Sequence, residues 1–197
     1  NREKTDVMTV HGEGVVKIGE TELEVVDKFK YLGSIITPTE PSSREIHARL
    51  AQAKSVTSKF DNVWRSNKLS MALKKRLVKA LVWSVALYGC ESWTLKKCHE
   101  ESINAFEMWV WRRVLRVKWH DMITNERIRS KLNLKENELL NVLKQRKLAK
   151  YCHWKRRPDS LALRSIEYDS AGDNRVGKPK AKWIDNVIAW TDGGLQK

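Results

Sequence analysis

The chain holds 197 residues, 41% of them hydrophobic and 31% charged, with a formal net charge of +14 and a pI near 9.8. That balance excludes a disordered polymer, and the length suffices for one good core, or a core with a small appended unit. A helical membrane span is excluded too: the longest apolar run, Ala80 to Tyr88 with Ser84 inside it, is far shorter than the ~20 residues required.

In chain order, the N-terminal stretch up to Ile36 reads as strands. Val7 to Val10, Val15 to Ile18 and Leu23 to Val26 are short β-prone runs separated by the turn-like His11-Gly12-Glu13-Gly14 and Gly19-Glu20. Phe29 to Ile36 is a further β-prone stretch, and Gly33 inside it marks a bend or a close backbone approach. Past Pro38 and Pro41 the period becomes helical. Ser42 and Glu45 make a capping-box pattern, and Ile46, Leu50, Ala53, Thr57, Phe60 and Trp64 mark one apolar face.

A second helix is predicted after Ser70, with Leu73, Leu77, Leu81, Val85 and Tyr88 as its buried stripe and Gly89 as its stop. Lys74, Lys75, Arg76 and Lys79 then fall on its outer side. A third helix runs from about Lys97 to Val117 along Ile103, Phe106, Val110, Val114 and Val117. Thr124 caps a short fourth helix ending near Asn133. A fifth spans about 136–156 until Pro158, and a last one covers about 181–190. The expected class is α+β by segregation, a small antiparallel β-hairpin unit followed by a mostly α-helical bundle.

Self-sufficient catalysis finds little support in the residues. There is no G-x-S-x-G, no phosphate-binding Gly-rich loop and no H-E-x-x-H, nor an Asp pair on a strand turn to hold two Mg²⁺ ions. Three cysteines, Cys90, Cys98 and Cys152, cannot all pair within one chain, which points to a reducing compartment. Cys98-His99 and Cys152-His153 are adjacent pairs with poor zinc geometry, so they read as structural residues and no metal site is expected.

Binding chemistry is better represented. Residues 1–50 hold 7 Lys/Arg against 9 Asp/Glu, whereas residues 51–197 hold 31 against 15, so the positive excess lies wholly in the later part. Such a block resists its own compaction, and an extended polyanion relieves it. Nucleic acid leads as the partner, ahead of an acidic membrane surface and of a merely soluble basic protein. Nine Trp accompany this charge, many beside basic residues. Lys and Arg can neutralise phosphates while an exposed indole stacks on a base. Part of the Trp109 to Arg113 cluster, Trp111 included, should reach the surface, whereas Trp83, Trp93 and Trp183 read as core.

Arg112, Arg113 and Arg116, and likewise Lys155, Arg156 and Arg157, are candidates for phosphate contact, the other reading being a solvated face. Lys74 and Lys75 stand between the same alternatives. Lys178 and Lys180 lie in Gly177-Lys178-Pro179-Lys180, which is similar to a minor-groove hook but also reads as a plain basic loop.

Phe29-Lys30-Tyr31-Leu32-Gly33-Ser34 resembles the primer-grip hairpin of non-LTR (LINE-type) retrotransposon reverse transcriptases. Further segments follow in that family's order. Leu87-Tyr88-Gly89-Cys90-Glu91-Ser92-Trp93-Thr94-Leu95 resembles its L-Y-G-x-E-x-W-T-L signature. Phe106-Glu107-Met108 through Arg112-Arg113-Val114-Leu115 resembles F-E-M-x-x-x-R-R-I-L, and Gly177 to Trp183 resembles G-R-P-x-x-R-W. Asn1-Arg2-Glu3-Lys4-Thr5 is similar to the N-x-x-K-T of motif D, although Asp6 stands where the family often has Lys.

The resemblance implies a division into the end of the palm with the primer grip (1–40), a helical thumb (41–133) and a basic helical C-terminal extension (134–197). Lys4 would be an auxiliary catalytic lysine. Phe29, Lys30, Tyr31, Leu32 and Gly33 would form the primer grip. The implied partners are an RNA template, a DNA primer and the rest of the palm and fingers, with no membrane. The setting would be intracellular, nuclear or ribonucleoprotein-associated. The metal-binding Asp pair would precede Asn1, so the chain is expected to be a fragment that is inactive alone. No cofactor is expected in it, and Mg²⁺ is implied for the intact enzyme. The rival reading is a stand-alone basic helical nucleic-acid binder derived from a decayed element.

Overall fold

A computed structural model describes residues 7–8, 16–19, 21–31, 33–37, 41–157, 159–167 and 181–191. The chain divides into two compact units, Asn1–Ala48 and Arg49–Lys197.

In the first unit the β-prone runs pair only briefly. Strand β1 (Lys17–Ile18) lies antiparallel to β2 (Thr21–Glu22), and β3 (Phe29–Tyr31) to β4 (Ser34–Ile36), with Tyr31 opposite Ser34. Gly33 turns the second ladder at φ +83°, a left-handed conformation that glycine adopts without steric cost. The two ladders do not join.

The α+β expectation is therefore corrected. The described residues are mostly helical, and the two- and three-residue ladders among them do not build a sheet that could form a layer, so the class is mainly α. The physical reason is visible in the side chains. Among the described side chains of these runs Val16, Val25, Phe29 and Tyr31 stay exposed while Leu23 is buried, and runs so short and interrupted do not assemble an apolar sheet face.

Helix α1 (Pro41–Lys59) starts one residue before the expected Ser42, with Pro41 first, a position where the missing N–H of proline costs nothing. Ile46, Leu50, Ala53 and Thr57 are buried along it as predicted. The chain breaks at Phe60 and resumes as α2 (Asp61–Arg65), where Trp64 donates its indole N–H to the Thr57 carbonyl at 2.8 Å.

Ser70 caps α3 (Met71–Leu77) by accepting the Leu73 N–H. A π-helical turn at Val78–Val82 follows, then α4 (Trp83–Ala86). The buried row is Val78, Val82, Trp83, Ala86 and Leu87, not the predicted Leu73 to Tyr88 stripe, of which Leu73 is 38% and Tyr88 51% exposed. The extra residue of the π turn rotates the side chains that follow it around the helix.

Helix α5 (Lys97–Leu115) buries Ile103, Phe106, Val110 and Val114 as predicted, but it ends at Arg116 in a left-handed conformation. Val117, the last of the expected stripe, therefore lies past the helix and is half-buried. Thr124 caps α6 (Asn125–Leu132), as its sequence position suggested, and Asn133 ends it at φ +47°. Helix α7 (Glu138–Lys155) packs against α5, against the 3₁₀ turn Cys90–Ser92, and against α8 (Leu161–Glu167) and α9 (Trp183–Thr191). The sequence pattern had not indicated α8. No described helix is long and apolar enough to cross a membrane.

Candidate nucleic-acid interface

The C-terminal end of α5 brings the Arg-rich segment together with α2 and with the turn that leads to α6. Between them lies a cleft of about 860 Å³, lined by Asp61, Trp64 and Arg65, by Trp109, Arg112, Arg113 and Arg116, and by Val117 to His120. Its walls are unlike in chemistry, indoles on one hand and guanidinium or ammonium groups on the other.

The three predicted arginines differ in how free they are. Arg113 makes a two-pronged pair with Asp61, Nε to Oδ1 and Nη2 to Oδ2, both at 2.7 Å. Its hydrogen bond and charge hold the Asp61 carboxyl below the usual range. The same guanidinium lies 5.5 Å from the Trp109 ring centroid. Arg112 donates to the Asn125 side chain at 2.7 Å and to the Ile123 carbonyl at 3.0 Å, which fixes the α5–α6 turn while leaving its charge uncompensated. Arg116 is exposed and reaches the Arg65 carbonyl at 3.5 Å, a marginal contact.

The other predicted residues scatter. Lys74 is buried rather than outward-facing, and its ammonium donates to the Trp64 carbonyl at 2.7 Å, tying α3 to α2. Lys75 donates to the Leu132 carbonyl, and Lys79 pairs with Glu138. Trp111 is fully buried, edge-on to Trp83, which corrects its expected exposure. Trp83 and Trp93 are buried as expected, and Trp183 is half-buried.

Lys155, Arg156 and Arg157 are exposed at the end of α7, away from the Arg112 segment in sequence and on a different helix. Phe29 and Tyr31 stack with centroids 6.5 Å apart on β3, with Lys30 paired to Ile35 between them. Lys4, Leu32, Lys178 and Lys180 lie outside the described residues.

Two buried polar residues that sequence reasoning passed over organise the helical unit. Lys147, fully buried on α7, donates to the Trp93 carbonyl and to Asn186 Oδ1, each at 2.8 Å, and faces the Trp183 ring at 4.4 Å. Burial pulls its pKa down from 10.5 to about 7, with Asp185 working weakly against the shift. Asn186 also exchanges two hydrogen bonds with Leu95, and Trp183 donates to the Glu91 carbonyl. Glu107 on α5 accepts the Leu139 N–H near the start of α7 and the Trp111 indole N–H. A charged residue four positions after Leu143 in an apolar row was the available signal for Lys147.

No family model, no curated protein and no solved structure matches this chain. The functional reading therefore stands on the residues themselves. Among the described residues no group of three or more His, Cys, Asp or Glu converges on a metal-sized site. All three cysteines are free. Cys90 is buried, and burial foremost, then the Glu91 charge, pushes its thiol up to about 12, so it is inert, whereas Cys98 and Cys152 are exposed.

Proposed function

We propose that this chain is a nucleic-acid-holding segment of a non-LTR retrotransposon reverse transcriptase, with an RNA–DNA template–primer duplex as its partner. The observation that carries the reading is the cleft beside the C-terminal end of α5. It gathers Arg65, Arg112, Arg116 and Lys118 beside the indoles of Trp64, Trp109 and Trp119, with Asp61 already paired to Arg113. Cations gathered in one cleft suit a ligand that carries phosphates. A hybrid duplex is A-like, so contacts to its shape and phosphates serve better than base reading.

The family-like segments lend further support. Leu87–Leu95 and the Trp183 end of the last segment meet at the Trp183–Glu91 and Asn186–Leu95 bonds, which gives both a common structural purpose. In this reading residues 1–40 belong to the palm and primer grip, and nucleotidyl transfer belongs to the rest of the polymerase. The work is done inside the cell, at a chromosomal target or in a ribonucleoprotein.

The test is a titration of hybrid duplex, double-stranded DNA and single strands at two salt concentrations. The unmodified chain should bind the hybrid with a steep salt dependence. The double variant Arg116→Glu with Lys118→Glu should lose affinity, and removing each phosphate contact should flatten the log–log salt slope by about one unit. Arg156→Glu with Arg157→Glu should flatten it independently. An unmodified chain that binds none of these nucleic acids would sink the proposal. Equal affinity for every duplex would reduce it to a general basic binder.

A further inference from the structure

Trp119 is the most exposed large apolar side chain among the described residues, at 88%, and Met122 beside it is 82% exposed. An indole left almost wholly in water forgoes the burial that its area would ordinarily reward. Its backbone, by contrast, is held. The Lys118 N–H donates to Asp121 Oδ2 at 2.7 Å, and the Asp121 N–H returns to the Lys118 carbonyl at 3.2 Å, closing the 3₁₀ turn Trp119–Asp121. Left-handed residues bracket that turn, Arg116 at φ +61° and Met122 at φ +48°, a conformation that non-glycine residues adopt at a cost. The His120 ring stands at 78° to the indole with centroids 5.8 Å apart, and this one neighbour still leaves the indole 88% exposed.

The platform lines the same cleft as Arg112, Arg116 and Lys118, which make no salt bridge to a carboxylate among the described residues. We infer that Trp119 is a stacking platform for an unpaired base at the end of the bound duplex, with Arg116 and Lys118 holding the adjoining phosphates. The inference rests on the nucleic-acid reading above and deepens it. An exposed indole beside these cations fits a nucleotide that is not paired, because the faces of a base within a duplex are already covered by its neighbours. A wholly paired duplex would engage the cations and leave the indole idle.

The test compares the full chain with Trp119→Ala and Trp119→Phe on three probes. These are a blunt RNA–DNA duplex, the same duplex with a short single-stranded overhang, and that overhang made abasic. The unmodified chain should prefer the base-bearing overhang. Trp119→Ala should bind that probe about tenfold more weakly while binding the blunt duplex equally well, and Trp119→Phe should recover most of the loss. The abasic overhang should lower the unmodified chain to the level of the alanine variant. If Trp119→Ala binds all probes as the unmodified chain does, the stacking inference fails although the nucleic-acid reading stands. If the unmodified chain binds none of them, that reading itself fails. Binding to anionic vesicles that depends on Trp119, with overhang binding unchanged by the substitution, would replace the base with a lipid surface and overturn the inference. Because the side chain is so exposed, the fold survives its removal.

Discussion

Replacing Lys147 with alanine is expected to release α9 from the helical unit and to cost about 3–5 kcal/mol of stability. The substitution strands the Trp93 carbonyl, takes one of two donors from Asn186 Oδ1, and leaves space where the buried side chain brought its ammonium against Trp183 and Trp190. Urea denaturation measures the loss, and hydrogen exchange of the α9 amides locates it. Protection of Val187 should collapse before that of Val110 in α5. Uniform loss across the unit would contradict the role assigned to Lys147 as the tie between α7 and α9.

Lys147→Met keeps the stem and isolates the charge. The amine titrates near 7 in the folded chain against an ordinary 10.5, so folding releases a proton between those values. The unfolded chain binds more protons there, and stability accordingly rises with pH by up to about 1.4 kcal/mol per pH unit. Cys90 acts in the opposite sense. Its thiol is raised from 9.0 to about 12, so its contribution is complete below 9 and fades above it. The window from pH 7 to 9 therefore belongs to Lys147. Across it the unmodified chain should gain stability relative to Lys147→Met, and parallel curves for the two proteins would refute the assignment.

The second large effect is expected at Glu107. Alanine there removes the acceptor for the Leu139 N–H and the Trp111 indole, at a cost of about 2–4 kcal/mol. Glutamine keeps an acceptor for Leu139 and should lose no more than about 1 kcal/mol. Burial raises the Glu107 pKa, with the Leu139 and Trp111 bonds pulling the other way. A raised carboxyl favours folding at acid pH, and that benefit is lost as pH rises through the folded pKa. Glu107→Gln should thus compare best with the unmodified chain at neutral pH and worst in acid. Equal losses for alanine and glutamine, by thermal or urea unfolding, would show that shape rather than hydrogen bonding matters at this position.

The helix ends were largely legible in the sequence because they are local. Ser70 and Thr124 cap α3 and α6 where their spacing indicated, and the greater part of the stripes of α1 and α5 is buried as their periods predicted. The β reading failed for the opposite reason. A strand is stabilised by what covers its face, and nothing in a run such as Lys17–Ile18 specifies that cover. Of the candidate site, the Arg112 to Arg116 segment was visible as charge. The partners that occupy Arg113 and Arg112 were not, because Asp61 and Asn125 belong to other helices.

Sequence alone determined the positive block after residue 50, the caps of α3 and α6, and the greater part of the apolar rows of α1 and α5. Only the tertiary structure decided which row of the Met71–Ala86 stretch faces inward. It alone buried Lys74 and Lys147 and left Trp119 in water. The physical reason is common to all of these. A cap or a period is written within a few residues, whereas the fate of a lysine or an indole depends on which carbonyls, rings and helices arrive beside it from elsewhere in the chain.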